Sequence, residues 1–204
     1  MLAAVKRCWA SLWTVRAIAY RMKNDINQEL VALAVVVQKL VFSNASGVMF
    51  TLNPINGRRS EIIINAAWGL GEAVVSSLVT PDTIVVDKNA ERILLYEAAN
   101  KEIMTVRTPG GTEEIPVPER LRKKTALTNK QAIHLAQLGK KIETYYQMPM
   151  DIEWALEKDV LCIVQARPVT VLPSFRESKA IFDSRQITFS PFFTPNTYEQ
   201  HYSL

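Results

Sequence analysis

Four polar side chains in the last third of the chain could do chemistry together: Asp151, Glu153, Gln165 and Arg167. Carboxylate and amide oxygens suit Mg²⁺, a hard cation that is usually held by one or two protein oxygens together with phosphates. An arginine beside them can bind a phosphate through two hydrogen bonds. The set therefore indicates a site for a polyanion and its metal ion. The alternative is an exposed strand face with a cross-strand ion pair, which contributes little to stability.

These residues lie on two apolar runs, 151–156 and 160–168, which the polar residues 157–159 separate. The pattern predicts an antiparallel hairpin whose side chains alternate between two faces. With 157–159 as a three-residue loop, Asp151 lies opposite Gln165 and all four polar side chains share one face. The other face is then apolar and consists of Met150, Ile152, Trp154, Leu156, Val160, Cys162 and Val164. A two-residue loop would shift the pairing by one residue and move Gln165 to the face opposite the acids.

Composition indicates an ordinary globular protein. The chain has 204 residues, 48% of them hydrophobic and 22% charged, and a net charge of +4, which allows one large or two small domains. The densest basic cluster, 120–124, is short and gives little support for nucleic-acid binding. Cys8 and Cys162 lack paired or metal-ligand spacing and are expected to be free thiols. No apolar run has the length of a membrane helix, and basic residues interrupt the N-terminus, so we expect a cytoplasmic location without membrane association.

The N-terminal part is predicted to contain a helix and a buried strand. Residues 1–22 have apolar residues at helical spacing, with Trp9, Trp13 and Tyr20 as expected core contacts. The run 31–41 is rich in valine and predicts a strand buried on both faces. Within that run, Gln38 is either a satisfied core amide or a residue that lines a pocket.

Short strands and one long helix are predicted for the middle of the chain. A turn at 45–47 precedes the first of five strands, which are expected at 48–52, 61–65, 83–87, 92–97 and 102–107. The segment 66–75 is a glycine-punctuated turn that leads into a short helix, and it is too short for a dinucleotide fingerprint. A helix is expected from Thr128, as its N-cap, to about Tyr146. Residues after 173 show no clear period.

Five segments together carry a family resemblance. In chain order they are VVVQKLV at 35–41, ASGVMFT at 45–51, NAAWGLGE at 65–72, DIEWA at 151–155 and QARP at 165–168. In this order they resemble the ATP-binding domain of the phosphoenolpyruvate synthase and pyruvate phosphate dikinase family, which includes the rifampicin phosphotransferases. The resemblance covers roughly residues 1–173.

The resemblance implies an α+β, ATP-grasp-like fold with a mainly antiparallel sheet and flanking helices. ATP is held between two subdomains in that fold, and family members begin before the position of Met1. Their first subdomain supplies a lysine, an arginine and a glycine-rich phosphate loop that have no counterpart here. Residues 1–173 are thus expected to be a partial ATP-grasp domain that lacks this subdomain, and 174–204 a linker or irregular tail.

The resemblance also implies ATP and Mg²⁺ as cofactors and gives each candidate residue a role. Glu153 and Gln165 would be the Mg²⁺ ligands, and Arg167 would contact the transferred phosphate. Asp151 would support that group, and Glu72 would face the cleft. The adenine site would be lined by Gln38, Lys39, Leu40 and Val41.

The implied reaction passes phosphate from ATP through a histidine on another domain to pyruvate or a similar acceptor. Neither His134 nor His201 lies in the sequence setting of such a histidine. A separately encoded N-terminal half and a phosphohistidine domain are therefore the expected partners, and the chain alone is not expected to turn over. The alternative is a non-catalytic remnant, or a module that docks on a separately encoded half.

Overall fold

In the computed structural model of the chain, residues 1–75 and 79–169 are described. The expected tail at 174–204 lies outside this part. The described residues form an α+β structure with mostly antiparallel sheet, as predicted. None of the helices they contain is long and apolar enough to cross a membrane. Two compact units are distinguished: the first contains 1–40 and 109–111, and the second contains 41–108 and 112–169.

The first unit contains two helices where one was predicted. They are α1 (Leu2–Ala10) and α2 (Val15–Lys23), with a 3₁₀ turn at Ser11–Trp13 between them. Thr14 is extended, with φ −69° and ψ 148°, and its hydroxyl accepts a hydrogen bond from the Ala17 amide at 3.4 Å. The break arises because a threonine in this conformation caps the second helix instead of continuing the first.

The predicted core contacts of this unit are wrong. Trp9, Trp13 and Tyr20 are 52%, 63% and 61% exposed. The buried residue of α2 is Arg21, which donates hydrogen bonds to the Gln28 amide oxygen at 2.6 Å and the Leu12 carbonyl at 2.7 Å. The break at 11–14 places these three residues on three different elements, and burial also requires an apolar layer to pack against.

The buried strand expected at 31–41 is also absent. Residues 31–43 contain neither helix nor strand, and Val36 and Val37 are 83% and 66% exposed. Valine-rich composition favours extended backbone, but a strand also needs a hydrogen-bonded neighbour. None of the described strands pairs with this segment.

The remaining elements contain the main sheet. In chain order they are β1 (Ala45–Phe50), β2 (Glu61–Trp68), α3 (Glu72–Val75), β3 (Asp82–Asp87), β4 (Arg92–Glu97), β5 (Ile103–Thr108), β6 (Gly111–Pro116), α4 (Glu119–Arg122), α5 (Asn129–Tyr146), β7 (Met150–Glu157) and β8 (Val160–Pro168). Six strands form one antiparallel sheet in the order β4-β3-β2-β1-β7-β8. The turn predicted at 45–47 is instead the start of β1. The fifth predicted strand, β5, pairs with β6 in a separate two-stranded sheet.

The core lies between one face of the six-stranded sheet and α5. Its fully buried members include Met49, Ile64, Leu135, Ile152 and Trp154. Helix α5 begins where the sequence predicted, because Thr128 and Gln131 form a capping box. The opposite face of the sheet carries a smaller buried cluster, which consists of Val48, Ala67 and Val74.

Gly47 permits close packing at the centre of the sheet. A Cβ at this position would lie 1.9 Å from the Asn65 carbonyl oxygen and 3.1 Å from a ring carbon of Trp154. We expect Gly47→Ala to lower the free energy of unfolding by about 1–2 kcal/mol, because either the neighbouring strand β2 or the Trp154 ring must move to make room for the methyl group. Urea unfolding measures this. Gly110→Ala is the matched control, since a Cβ there meets no atom within 4 Å; equal stability of the two variants would contradict the prediction.

A buried ion pair connects β3 to the loops around it. Asp82 and Lys101 have side chains with 0% exposure. One carboxylate oxygen of Asp82 accepts hydrogen bonds from the Lys101 ammonium and from the Ala99 amide at 2.8 Å. The other accepts from the Ala126 amide at 2.8 Å. Every donor lies on a loop, so this carboxylate fixes those loops against the start of β3.

Candidate functional site

The hairpin turn has two residues, not three. Lys158 and Asp159 both have positive φ, at 47° and 68°, the backbone of the tight turns that suit twisted antiparallel strands. Next to the turn, Leu156 pairs with Leu161 and Trp154 pairs with Ile163. The three-residue loop is therefore wrong.

A β-bulge then returns the four polar residues to one face, although the predicted pair of Asp151 with Gln165 is wrong. The register shifts between Trp154 and Glu153, which leaves Val164 as the extra residue of β8. Beyond the bulge, Glu153 pairs with Gln165 and Asp151 pairs with Arg167. The four polar residues thus share one face, as a three-residue loop would have placed them, but a two-residue turn plus a bulge produces the arrangement.

The same shift changes which residues of β8 lie on the apolar face, so the predicted set is wrong. Leu161, Ile163 and Ala166 pack against the core. The residues expected there were Val160, Cys162 and Val164. The tight turn moves every side chain before the bulge to the opposite face from the expected one.

Asp151 and Arg167 form a close pair at this face. The Arg167 Nε and Nη2 atoms both donate to Asp151 Oδ2, at 2.9 and 2.6 Å. The other oxygen, Oδ1, is buried and has no hydrogen-bond partner among residues 1–75 and 79–169. Burial raises the pKa of the Asp151 carboxyl above its ordinary value, while the hydrogen bonds and charge of Arg167 act in the opposite direction. The pair therefore presents a fixed guanidinium next to a buried acceptor that could receive a cation or a donor.

Pairing across the sheet adds a residue that the sequence analysis missed. Val48 of β1 pairs with Glu153 on one side and with Asn65 of β2 on the other, so all three share a face. Asn65 is buried, and its amide donates to the Thr83 hydroxyl at 3.4 Å. An amide inside the otherwise apolar run 62–67 was the available signal. Its place beside Val48, in line with Glu153 across the sheet, depends on the strand order, which cannot be predicted from the local sequence.

Comparison with known proteins identifies the domain. The family model described as pyruvate phosphate dikinase, AMP/ATP-binding domain, matches residues 1–187. The chain belongs to this family.

Relatives include two phosphoenolpyruvate synthases and a rifampicin phosphotransferase. The probable phosphoenolpyruvate synthase of Pyrococcus abyssi is 52% identical over 177 residues, which are 82% of this chain and 22% of that protein. The phosphoenolpyruvate synthase of Pyrococcus furiosus is 51% identical with the same coverage of 82% and 22%. The rifampicin phosphotransferase of Streptomyces sviceus is 43% identical over 178 residues, 87% of this chain and 20% of that protein. The chain thus spans about a fifth of the length of the curated relatives it matches.

The glycine turn of this ATP-binding domain is held from two sides. Gly69 has φ 81°, and its amide donates to the Asn44 carbonyl at 2.9 Å. The Gly69 carbonyl accepts from the hydroxyls of Ser43 at 2.9 Å and Ser46 at 2.6 Å. The Leu70 amide donates to Thr105 of β5 at 2.8 Å. A Cβ at Gly69 would lie 2.3 Å from the Thr105 carbonyl oxygen, so glycine is required by space as well as by φ.

Glu72 lies on the same face of the sheet as the hairpin residues. It is the exposed first residue of α3. Val74 of the same helix packs with Val48 and Ala67, and Val48 is the strand neighbour of Glu153. The structure therefore brings Glu72 to the side of the sheet that carries the acids.

The residues expected to line the adenine site divide between the two units. Gln38, Lys39 and Leu40 belong to the first unit, and Val41 begins the second. Gln38 and Lys39 are exposed, whereas Leu40 and Val41 are partly buried. The set of candidate residues that the second unit brings together is the one on the hairpin.

The donor set fits a magnesium ion that is shared with phosphates. Within residues 1–75 and 79–169, no three His, Cys, Asp or Glu side chains form a cluster that could enclose a metal. Mg²⁺ does not need such a cluster, because it is usually held by one or two carboxylates plus substrate phosphates and water. Glu153, Gln165 and the unpartnered Oδ1 of Asp151 supply oxygens of that kind.

Proposed function

We propose that the hairpin face holds Mg²⁺ and the phosphates of ATP, in one half of an ATP-grasp cleft formed by a partial domain at 1–173. The observation that carries the proposal is the double pairing on one face, Glu153 with Gln165 and Asp151 with Arg167. The buried, unpartnered oxygen of Asp151 supports it, because such an acceptor gains from a cation. Glu153 and Gln165 would hold the metal ion.

Arg167 would contact the transferred phosphate. The Mg²⁺ ion, when bound, supplies positive charge at the phosphate oxygens. Asp151 Oδ2 accepts hydrogen bonds from two nitrogen atoms of Arg167. The guanidinium group is therefore oriented before any substrate binds. Phosphoryl transfer depends mainly on positioning and on stabilisation of the charge that shifts among the oxygens. In this proposal Glu72 faces the cleft, and Val41 of the same unit lines the adenine.

The whole protein would be a dikinase-type phosphotransferase. ATP would phosphorylate a histidine on another domain, and that histidine would pass the phosphate to pyruvate or a similar acceptor. The names of the relatives, phosphoenolpyruvate synthase and rifampicin phosphotransferase, support this class of reaction. The 204-residue chain is then expected to bind nucleotide without turning it over, because positioning groups on the other half of the cleft are needed for transfer.

Calorimetric titration with a non-hydrolysable ATP analogue and Mg²⁺ tests the site. The double variant Glu153→Ala, Gln165→Ala is expected to lose at least about tenfold in affinity, because mutation of even the outer-shell partners of metal ligands costs about 10–100-fold. Glu157→Ala is the control, since Glu157 lies on the same strand but pairs next to the turn. Unchanged affinity in the double variant would contradict the proposed site. No Mg²⁺-dependent binding by the unaltered chain would favour the alternative of a non-catalytic module.

A further inference from the structure

We infer that the β-bulge at Val164 is a positioning element, which sets the angle at which Gln165 and Arg167 approach Glu153 and Asp151. This inference rests on the proposed function. It assigns the role to the extra backbone residue and not to the valine side chain. The bulge lies directly beside the Glu153–Gln165 pair, so any change in strand twist there acts on the proposed metal oxygens first.

The register shows which unfavourable strand pairing the extra residue prevents. With the two-residue turn and no bulge, the present sequence would place Gln165 opposite Ile152 and Arg167 opposite Met150. Ile152 and Met150 have 0% exposure and lie in the core against α5. An unpaired amide and a guanidinium there would be strongly unfavourable. The bulge therefore keeps both polar groups on the site face.

The bulge also changes geometry, and this effect can be separated from register. A bulge bends its strand and increases the local right-handed twist, and it commonly re-aims a neighbouring side chain. If Val164 were removed, Gln165 would follow Ile163 directly. The same pairs, Glu153 with Gln165 and Asp151 with Arg167, would then form in a regular ladder. Pairing would be preserved, and the angle between the pairs would change.

Deletion of Val164 in the full 204-residue chain is the test, with Mg²⁺ and a non-hydrolysable ATP analogue as the probe. We expect a folded protein, by circular dichroism and amide NMR, whose affinity is lower by about tenfold or more. The matched control is deletion of Leu94, the extra residue of the second bulge, between β3 and β4. Strand β4 is at the opposite edge of the sheet from β8, so this deletion should leave the affinity within about twofold.

A second variant keeps the chain length. The triple substitution Cys162→Val, Ile163→Cys, Val164→Ile exchanges the same three side chains. An isoleucine at position 164 then favours the core position opposite Trp154, which moves the bulge two residues toward the turn. Loss of affinity comparable to that of the deletion would support the inference, and this variant decides the question if the deletion does not fold.

The outcomes distinguish this inference from the proposed function. Affinity equal to that of the unaltered chain in either folded variant would overturn the role of the bulge and leave the proposed site intact. No Mg²⁺-dependent binding by the unaltered chain would overturn the proposed function, and this inference with it.

Discussion

Replacing Asp82 by alanine is expected to lower the free energy of unfolding by about 3–5 kcal/mol, the range for breaking a buried ion pair by removing one partner. The substitution would leave the Lys101 ammonium in a site with 0% exposure. It would also remove the acceptor of the Ala99 and Ala126 amides. Each buried donor without an acceptor adds its own desolvation cost. The loss should therefore be among the largest that one substitution in this sheet can cause.

Urea unfolding measures this loss, and two variants identify its cause. Asp87→Ala is the matched control, because Asp87 ends the same strand and also accepts two backbone amides, from Asn89 and Ala90, but at an exposed turn. Its effect should be clearly smaller. The double variant Asp82→Leu, Lys101→Leu should recover part of the lost stability, since an apolar pair leaves no buried charge. A loss below about 1 kcal/mol for Asp82→Ala would contradict the prediction.

Local pattern was sufficient for elements whose signals are local. The cap at Thr128 and the alternation of Asp151, Ile152 and Glu153 depend on neighbouring residues only, and the structure confirms both. The turn at Lys158 and Asp159 was misread because this pair is not one of the glycine-containing dipeptides that mark two-residue hairpin turns. The bulge left no sequence signal other than the polarity of the residues after it.

Long-range partners could not be predicted from single segments. Asp82 and Lys101 are 19 residues apart in sequence, and each alone is typical of a surface position. Asn65 joins the row of Glu153 only through the strand order. Trp9 and Trp13 are exposed for a related reason. Periodicity predicts which residues form an apolar face, but it does not show whether another element packs on that face.

Replacing Arg167 by alanine is expected to destabilise the chain by about 2–3 kcal/mol at neutral pH. This is below the range for fully buried pairs because the Arg167 side chain is 34% exposed, while that of Asp151 is only 11% exposed. The substitution removes both donors to Asp151 Oδ2 and leaves its carboxylate buried without a counter-charge. Binding of Mg²⁺ with the ATP analogue should weaken as well, since the oriented guanidinium is lost.

The destabilisation by Arg167→Ala should depend on pH, and the direction of this dependence can be predicted. Burial raises the pKa of Asp151 from its ordinary value of 3.8, and removal of Arg167 removes the interactions that oppose this rise. A carboxyl whose pKa is raised by folding contributes stability below its unfolded pKa, and that contribution is lost as the pH rises through the folded pKa. The gap in unfolding free energy between the unaltered chain and Arg167→Ala should therefore be widest at pH 7 and narrow toward pH 4. Equal gaps at both pH values would show that Arg167 stabilises the hairpin through packing rather than charge. Asp151→Asn, Arg167→Ala should have little such pH dependence, because the titrating group is gone.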